Sequence, residues 1–169
     1  PPLGARHTHE EFHDAPVIDK GFFVLTGNNH YVMEQIKRNE PVRLKSFCAW
    51  LLHATRGYAL KVVNPGGVEV WKQGSNTLAN LDDTVPGFDI SPRRIVSEIT
   101  RTANELKLPH PVHIHCNQLG MPGNWSTTLA TMQAVDGQRK LASLAGQFQR
   151  QRGHSGQLGR CNHFIADVD

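Results

Sequence analysis

Tyr-Ala-Leu-Lys-Val-Val-Asn-Pro-Gly-Gly at residues 58–67 and Pro-His-Pro-Val-His-Ile-His-Cys-Asn at residues 109–117 decide the fold expected of this chain. Each is an apolar run that ends in polar residues, as a buried parallel strand does when its C-terminal end reaches a functional site. A helical pattern over residues 92–108 lies between them, so the unit predicts strand, crossover helix and strand. We therefore expect an α/β fold with functional side chains at the C-terminal ends of the strands.

Three residues in these runs are candidates for chemistry: Lys61, His113 and His115. Side chains alternate along a strand, so the two histidines point to one face and can share a metal ion, or one can support the other. A polar network within the core is the structural alternative. An ammonium group inside Ala-Leu-Lys-Val-Val is costly unless it is paired, neutralised or modified. The alternative for Lys61 is a side chain that extends to solvent.

Three long motifs carry a family resemblance, and they occur at residues 57–71, 81–88 and 108–124. Together they resemble the A subunit of formylmethanofuran dehydrogenase, and more closely its bacterial version in the formyltransferase/hydrolase complex. Cys116 favours the bacterial branch. The similarity runs from about Ala15 to about Gly137, and it implies membership of the amidohydrolase superfamily.

The resemblance implies a fold and a metal centre. The fold is a partial, TIM-like (β/α)8 barrel of the amidohydrolase type, and the cofactor is a binuclear zinc centre. Lys61 matches the carboxylated lysine that bridges the two metals, and a carbamate would also resolve the cost of burying an ammonium group. His115 matches a zinc ligand, with His113 beside it as a supporting residue or a third ligand. The acid–base aspartate of the family is expected outside this chain.

The resemblance also implies a reaction and partners. We expect a zinc-dependent amide hydrolase component that acts on the N-formyl group of formylmethanofuran, in the direction of formate release or of formyl synthesis, in tetrahydromethanopterin-linked one-carbon metabolism. Its partners would be the other subunits of the complex and a methanofuran-type substrate. The alternative is a non-catalytic interaction piece of such a complex. Asn64, Asn117 and Asn124 lie in loops at the presumed active face and are candidate substrate-binding residues.

Length and charge set the expected domains. The chain has 169 residues, whereas a complete barrel needs about 250. We therefore expect a fragment, with residues 1–137 as a partial barrel and residues 138–169 as a divergent basic tail. Residues 1–137 carry 13 basic and 13 acidic side chains, so the net charge of +3 arises in the tail, from 5 basic and 2 acidic side chains.

Several partners and compartments are disfavoured by the composition. The balanced charge of the main body predicts no binding of nucleic acid. No apolar run is long enough to span a bilayer, so no membrane association is expected. Three scattered cysteines do not suggest a disulfide framework, and a cytoplasmic location is predicted.

The remaining chain yields predictions of local structure. Helices are expected from Asn28 or Asn29 to about Arg38, over residues 42–55, and over residues 125–135. The segment at residues 6–10 contains two histidines, but no apolar strand precedes it, so we expect a solvated loop. A long loop is expected over residues 71–88, and a short amphipathic helix over residues 141–148.

Overall fold

The computed structural model describes residues 2–15, 17–74, 80–117, 122–138 and 143–145. Helices and strands alternate along most of this part of the chain, as the crossover pattern predicts. In chain order, the elements are α1 (Pro2–His13), β1 (Phe23–Leu25), α2 (His30–Lys37), α3 (Pro41–Thr55), β2 (Ala59–Val63), α4 (Gly67–Lys72), α5 (Pro92–Glu105), β3 (His113–His115), α6 (Trp125–Gln133) and β4 (Ser143–Ala145).

The strands form one parallel sheet in the order β1-β2-β3-β4. In its register, Lys61 lies opposite Leu25 on one side and His113 on the other, and Val63 lies opposite His115. The α/β class is therefore confirmed. The described strands form an open sheet, so the closed barrel stays a prediction.

The two faces of the sheet differ in burial. One face is fully buried and includes Leu60, Val62 and Ile114. Helices α2, α3 and α5 cover this face and contribute their own apolar stripes to the same core. The opposite face, with Phe23, Lys61, His113 and His115, is only half-buried. The period of two along each strand therefore directs the polar residues away from the core.

Two helices begin where the sequence predicts, because an N-cap side chain satisfies a free backbone N–H group. Val32 N donates to Asn29 Oδ1, and Arg94 N donates to Ser91 Oγ, with Pro92 in the first turn of α5. Helix α3 is followed by its C-cap residue Arg56, which adopts a left-handed conformation with φ of 52°. Strand β2 then starts after a short turn, as expected.

Three local predictions were wrong. Residues 6–10 belong to helix α1, which is held in place where the His9 ring meets the edge of Phe22 and hydrogen-bonds the Thr55 carbonyl oxygen at 2.9 Å. The loop expected from residue 71 overlaps the end of helix α4. Residues 143–145 form a strand and not part of a helix, because β3 offers a free edge for pairing. The rest of the predicted tail, residues 139–142 and 146–169, lies outside the described residues.

Candidate active site

Lys61, His113 and His115 lie together on the half-buried face of the sheet. The register places Lys61 directly beside His113 on the neighbouring strand. The imidazole rings of His113 and His115 have centroids 5.0 Å apart. The three predicted metal-site residues are therefore brought together by the fold, on one surface of two adjacent strands.

Aromatic rings surround these residues on the same face. The Phe23 ring is stacked on His113 at a centroid distance of 4.8 Å and an interplanar angle of 20°. The Nζ of Lys61 lies 6.0 Å from the centroid of the Phe23 ring. The centroid of the Tyr58 ring lies 5.0 Å from that of Phe23 and 4.3 Å from that of His110. Phe23 was not among the predicted site residues, because a single run of sequence does not show which residues of different strands lie side by side.

The environment of His115 favours the neutral imidazole. Burial, and then the nearby charge of Lys61, lower the pKa of His115 below its ordinary value. A neutral imidazole has a nitrogen lone pair available for a metal ion or a proton.

The turn of residues 64–67 leaves β2 at the edge where these side chains lie. Asn64 is exposed and has a left-handed backbone with φ of 43°. Its N–H donates to the His115 carbonyl oxygen at 3.0 Å, which ties the turn to β3. A Cβ atom on Gly67 would overlap the carboxamide of Asn64, so a larger residue at that position would displace this side chain. The predicted substrate-binding residue Asn64 therefore stands on a well-fixed backbone.

The other two asparagines have different surroundings. Asn117 is almost fully buried, and its Nδ2 donates to the Pro65 carbonyl oxygen at 3.3 Å. It therefore supports the turn of residues 64–67 from β3. Asn124 is buried at the start of α6, where its carbonyl oxygen accepts from Thr128 N. Their roles in substrate binding stay predictions.

A group of polar residues that the sequence did not single out lies beside this turn. His30 Nε2 and Lys72 Nζ each lie 2.7 Å from Glu69 Oε1, so they join α4 to the start of α2. The hydrogen bond from Lys72, together with the contact to His30, holds the pKa of Glu69 below its usual range despite partial burial. Helix α4 is thereby joined to the start of α2 through His30.

The described residues hold no group of three histidine, cysteine or acidic side chains suited to a metal ion. They do bring together two imidazoles and one lysine, and a lysine carbamate adds oxygen donors of the kind that zinc accepts. This set fits part of a metal site. A complete site would need further donors, which the described part of the chain does not place beside these three residues. In that part, no helix is long and apolar enough to cross a membrane.

Two known proteins contain segments that are similar in sequence to this chain. The chain is 53% identical over 137 residues to Protein FwdA of Methanocaldococcus jannaschii, and this match covers 81% of the chain and 24% of the relative. It is 34% identical over 140 residues to the A subunit of the formyltransferase/hydrolase complex Fhc of Methylorubrum extorquens, covering 82% of the chain and 25% of the relative. The chain thus spans about a quarter of the length of these curated relatives. No family model matches the chain.

A solved structure supports the same relationship. The chain aligns with the crystal structure of the formyltransferase/hydrolase complex FhcABCD of Methylorubrum extorquens in complex with methylofuran. The TM-score is 0.78 at 34% identity, over 82% of this chain and 26% of that chain. The chain is therefore homologous to a segment of FwdA and of the Fhc A subunit. The expected preference for the bacterial branch is wrong for these two relatives, because FwdA is the more similar; a single residue, Cys116, is too little sequence to define a branch.

Proposed function

We propose that this chain, as a homologue of FwdA and of the Fhc A subunit, is part of a protein that processes the N-formyl group of a formylmethanofuran-type substrate. The named relative belongs to a formyltransferase/hydrolase complex, and the solved complex contains methylofuran. The reaction is the cleavage of a formamide to formate and an amine, or its reverse. The partners are a methanofuran-type substrate and the other subunits of the complex.

The observation that carries this proposal is the common placement of Lys61, His113 and His115. They occupy one face of two neighbouring parallel strands, with Lys61 in the middle of β2 and His113 and His115 at the two ends of β3. Any continuous stretch of 137 residues in a chain of 169 includes all three positions, so the match to FwdA extends over the whole group. In parallel α/β sheets, functional groups collect at the C-terminal ends of the strands, where His115 lies.

Lys61 and His115 are proposed to hold zinc, with His113 beside them. A lysine ammonium has no lone pair to donate, so Lys61 must change to take part. The neutral amine attacks the carbon of carbon dioxide, an N–C bond forms and one proton leaves, which yields a carbamate with two oxygen donors. When bound, zinc lowers the pKa of water and polarises the formyl oxygen.

The surrounding side chains support this arrangement. Phe23 packs against the His113 ring and lies beside Lys61, so it restricts the rotation of the imidazole and partly excludes water. Burial lowers the pKa of His115, as does the positive charge of Lys61 before a carbamate forms. The aspartate expected as acid and base belongs to the part of the protein outside this chain.

A matched pair of lysine variants tests this function in the longer protein, assembled with its partners. Lys61→Ala is expected to abolish formate release from an N-formyl amine of the methanofuran type and to reduce bound zinc, with partial recovery of activity when short-chain carboxylic acids replace the carbamate. Lys45→Ala is the control, because Lys45 is also partly exposed but pairs with Glu105 on the far helices. Such a pair contributes at most about 1 kcal/mol to stability.

Two outcomes would contradict the proposal. A bare Lys61 amine that extends to solvent in the zinc-loaded protein would exclude the carbamate. Normal zinc content and normal turnover in Lys61→Ala would favour the alternative, in which the chain is a non-catalytic interaction piece of the complex.

A further inference from the structure

The segment that follows β1, Thr26-Gly27-Asn28, forms hydrogen bonds with the backbone of β2 toward its C-terminal end. The carbonyl oxygen of Lys61 accepts from Thr26 N at 2.8 Å and from Thr26 Oγ1 at 3.1 Å. Gly27 N approaches the same oxygen at 3.4 Å. The backbone of the lysine is therefore fixed by a buried threonine on the neighbouring strand.

The carboxamide of Asn28 continues this contact into the turn of residues 64–67. Its Nδ2 donates to the Val63 carbonyl oxygen at 2.5 Å and lies 3.3 Å from that of Asn64. Its Oδ1 accepts from Gly66 N at 2.9 Å. A short side chain with a donor and an acceptor at its end is required for both contacts, and only asparagine supplies this at that length.

Close packing brings Asn28 within reach of the turn. A Cβ atom on Gly27 would lie 2.6 Å from Val62 Cγ1 and 3.0 Å from Val62 Cα, so glycine lets the two backbones approach. On the other side of the turn, Asn117 holds the Pro65 carbonyl oxygen from β3. The turn is therefore fixed from both neighbouring strands.

We propose that Asn28 is a positioning residue of the formamide-processing site and that it acts through the turn of residues 64–67. It fixes the backbone on both sides of this turn, and with it the placement of Asn64 and of the Lys61 strand end. This inference rests on the proposed function. The sequence suggested Asn28 only as a helix cap, but Asn29 is the cap of α2, which leaves the Asn28 side chain free for the turn.

The isosteric variant Asn28→Asp separates hydrogen bonding from volume. It keeps an acceptor for Gly66 N but turns a carboxylate oxygen toward the carbonyl oxygens of Val63 and Asn64, which repel it. We expect Asn28→Asp and Asn28→Ala each to lower kcat/KM by about 10- to 100-fold, because displacement of reacting groups by about 1 Å has effects of this size. Most of the loss should appear in kcat, since the substrate can still bind.

The experiment uses the longer protein in complex with its partners, with zinc content and melting temperature measured for each variant. Asn29→Ala is the control, because it removes the neighbouring cap of α2 without touching the turn, and we expect less than about a twofold change in kcat/KM. Hydrogen exchange of a peptide that spans residues 64–67 reports on Gly66 N–H directly. Asn28→Ala removes the acceptor of Gly66 N–H and should exchange faster there than wild type and Asn29→Ala. Asn28→Asp should also exchange faster, by a smaller factor, because repulsion from the Val63 and Asn64 carbonyl oxygens displaces the turn.

The outcomes separate this inference from the proposed function. Unchanged exchange over residues 64–67 in both Asn28 variants would overturn it, as would faster exchange with kcat/KM equal to that of Asn29→Ala. Wild-type activity for Asn28→Asp would show that only the volume matters and would also overturn it. A wild-type complex that binds the formamide without turning it over would count against the proposed function. Faster hydrogen exchange in the Asn28 variants would even then support the contact of Asn28 with the turn.

Discussion

At the scale of single residues, Lys61 and His115 show how strand register creates a site. A lysine within an apolar strand is unusual by itself and a histidine is not, but the parallel pairing of β2 and β3 places both on the half-buried face. Burial and the charge of Lys61 then lower the pKa of His115. Because the imidazole is neutral near pH 7, it is a suitable metal ligand without any further change.

The two histidines are expected to differ in their effect on zinc. In the longer protein, His115→Ala should remove the metal, because it removes a proposed ligand. His113→Ala should weaken binding by about 10- to 100-fold, as the loss of a supporting residue does. Metal analysis after dialysis against a graded series of chelator concentrations measures both. Equal and complete loss in the two variants would make His113 a ligand too.

Cys48 should be unreactive in the folded protein. It lies on the buried stripe of α3, and burial raises the pKa of its thiol to about 12. At pH 8, only about one molecule in ten thousand would carry the reactive thiolate. Iodoacetamide labelling read by peptide mass spectrometry should therefore leave Cys48 unmodified at pH 8, with labelling only as the pH approaches 12 or in denaturant. Rapid labelling of the native protein at pH 8 would contradict the buried position.

At the scale of elements, the β1–α2 connection is as important to the site as the strands that bear its side chains. Thr26 extends the pairing of β1 with β2, Asn28 holds the following turn, and Asn29 starts α2. Because these three contacts fall within residues 26–29, a change in the backbone spacing of this connection would disturb them.

Two glycine-to-alanine variants test this spacing. Gly27→Ala should destabilise the longer protein by about 1–3 kcal/mol, because the new methyl group overlaps Val62 at a site that cannot relax freely. Gly4→Ala is the matched control, since it lies in helix α1 with nothing within 4 Å of the added Cβ, and no loss is expected. Thermal unfolding monitored by circular dichroism measures both. Equal melting temperatures would refute the close approach of the two strands.

At the scale of the whole molecule, the described sheet is open and its proposed metal site is partial. Lys61 and His115 are the proposed ligands of a binuclear centre, with His113 as a supporting residue or a third ligand, and the described residues offer no acidic or cysteine side chain to complete a cluster with them. β1 pairs on one side with β2, so its other edge offers backbone hydrogen-bonding groups within the described structure.

The isolated 169-residue chain is therefore expected to bind zinc weakly and to release no formate above background. A lysine carbamate persists mainly while a metal holds it, so a partial site also loses its bridging group. The measurement is formate release from an N-formyl amine by purified, zinc-supplemented chain. Turnover that disappears in Lys61→Ala would show that this segment is sufficient for catalysis.

The sequence by itself determined the α/β class, the strands β2 and β3 with the helix α5 between them, and the approximate starts of α2 and α5, and it singled out Lys61, His113 and His115. These features depend on local signals, such as the alternation of side chains along a strand and the hydrogen bond of a cap, which a short window of residues contains. The family resemblance added the reaction and the zinc, which no spacing in this chain shows.

Only the tertiary structure decided which side chains meet. The stacked rings of Phe23 and His113 are 90 residues apart in sequence, and the hydrogen bond from Gly66 N to Asn28 Oδ1 joins residues that are 38 apart. Helix α1 and strand β4 were missed for the same reason, since each is stabilised by a partner distant in sequence: α3 and the β1 segment for α1, and the edge of β3 for β4. Free energy gained from such contacts overrides weak local preferences.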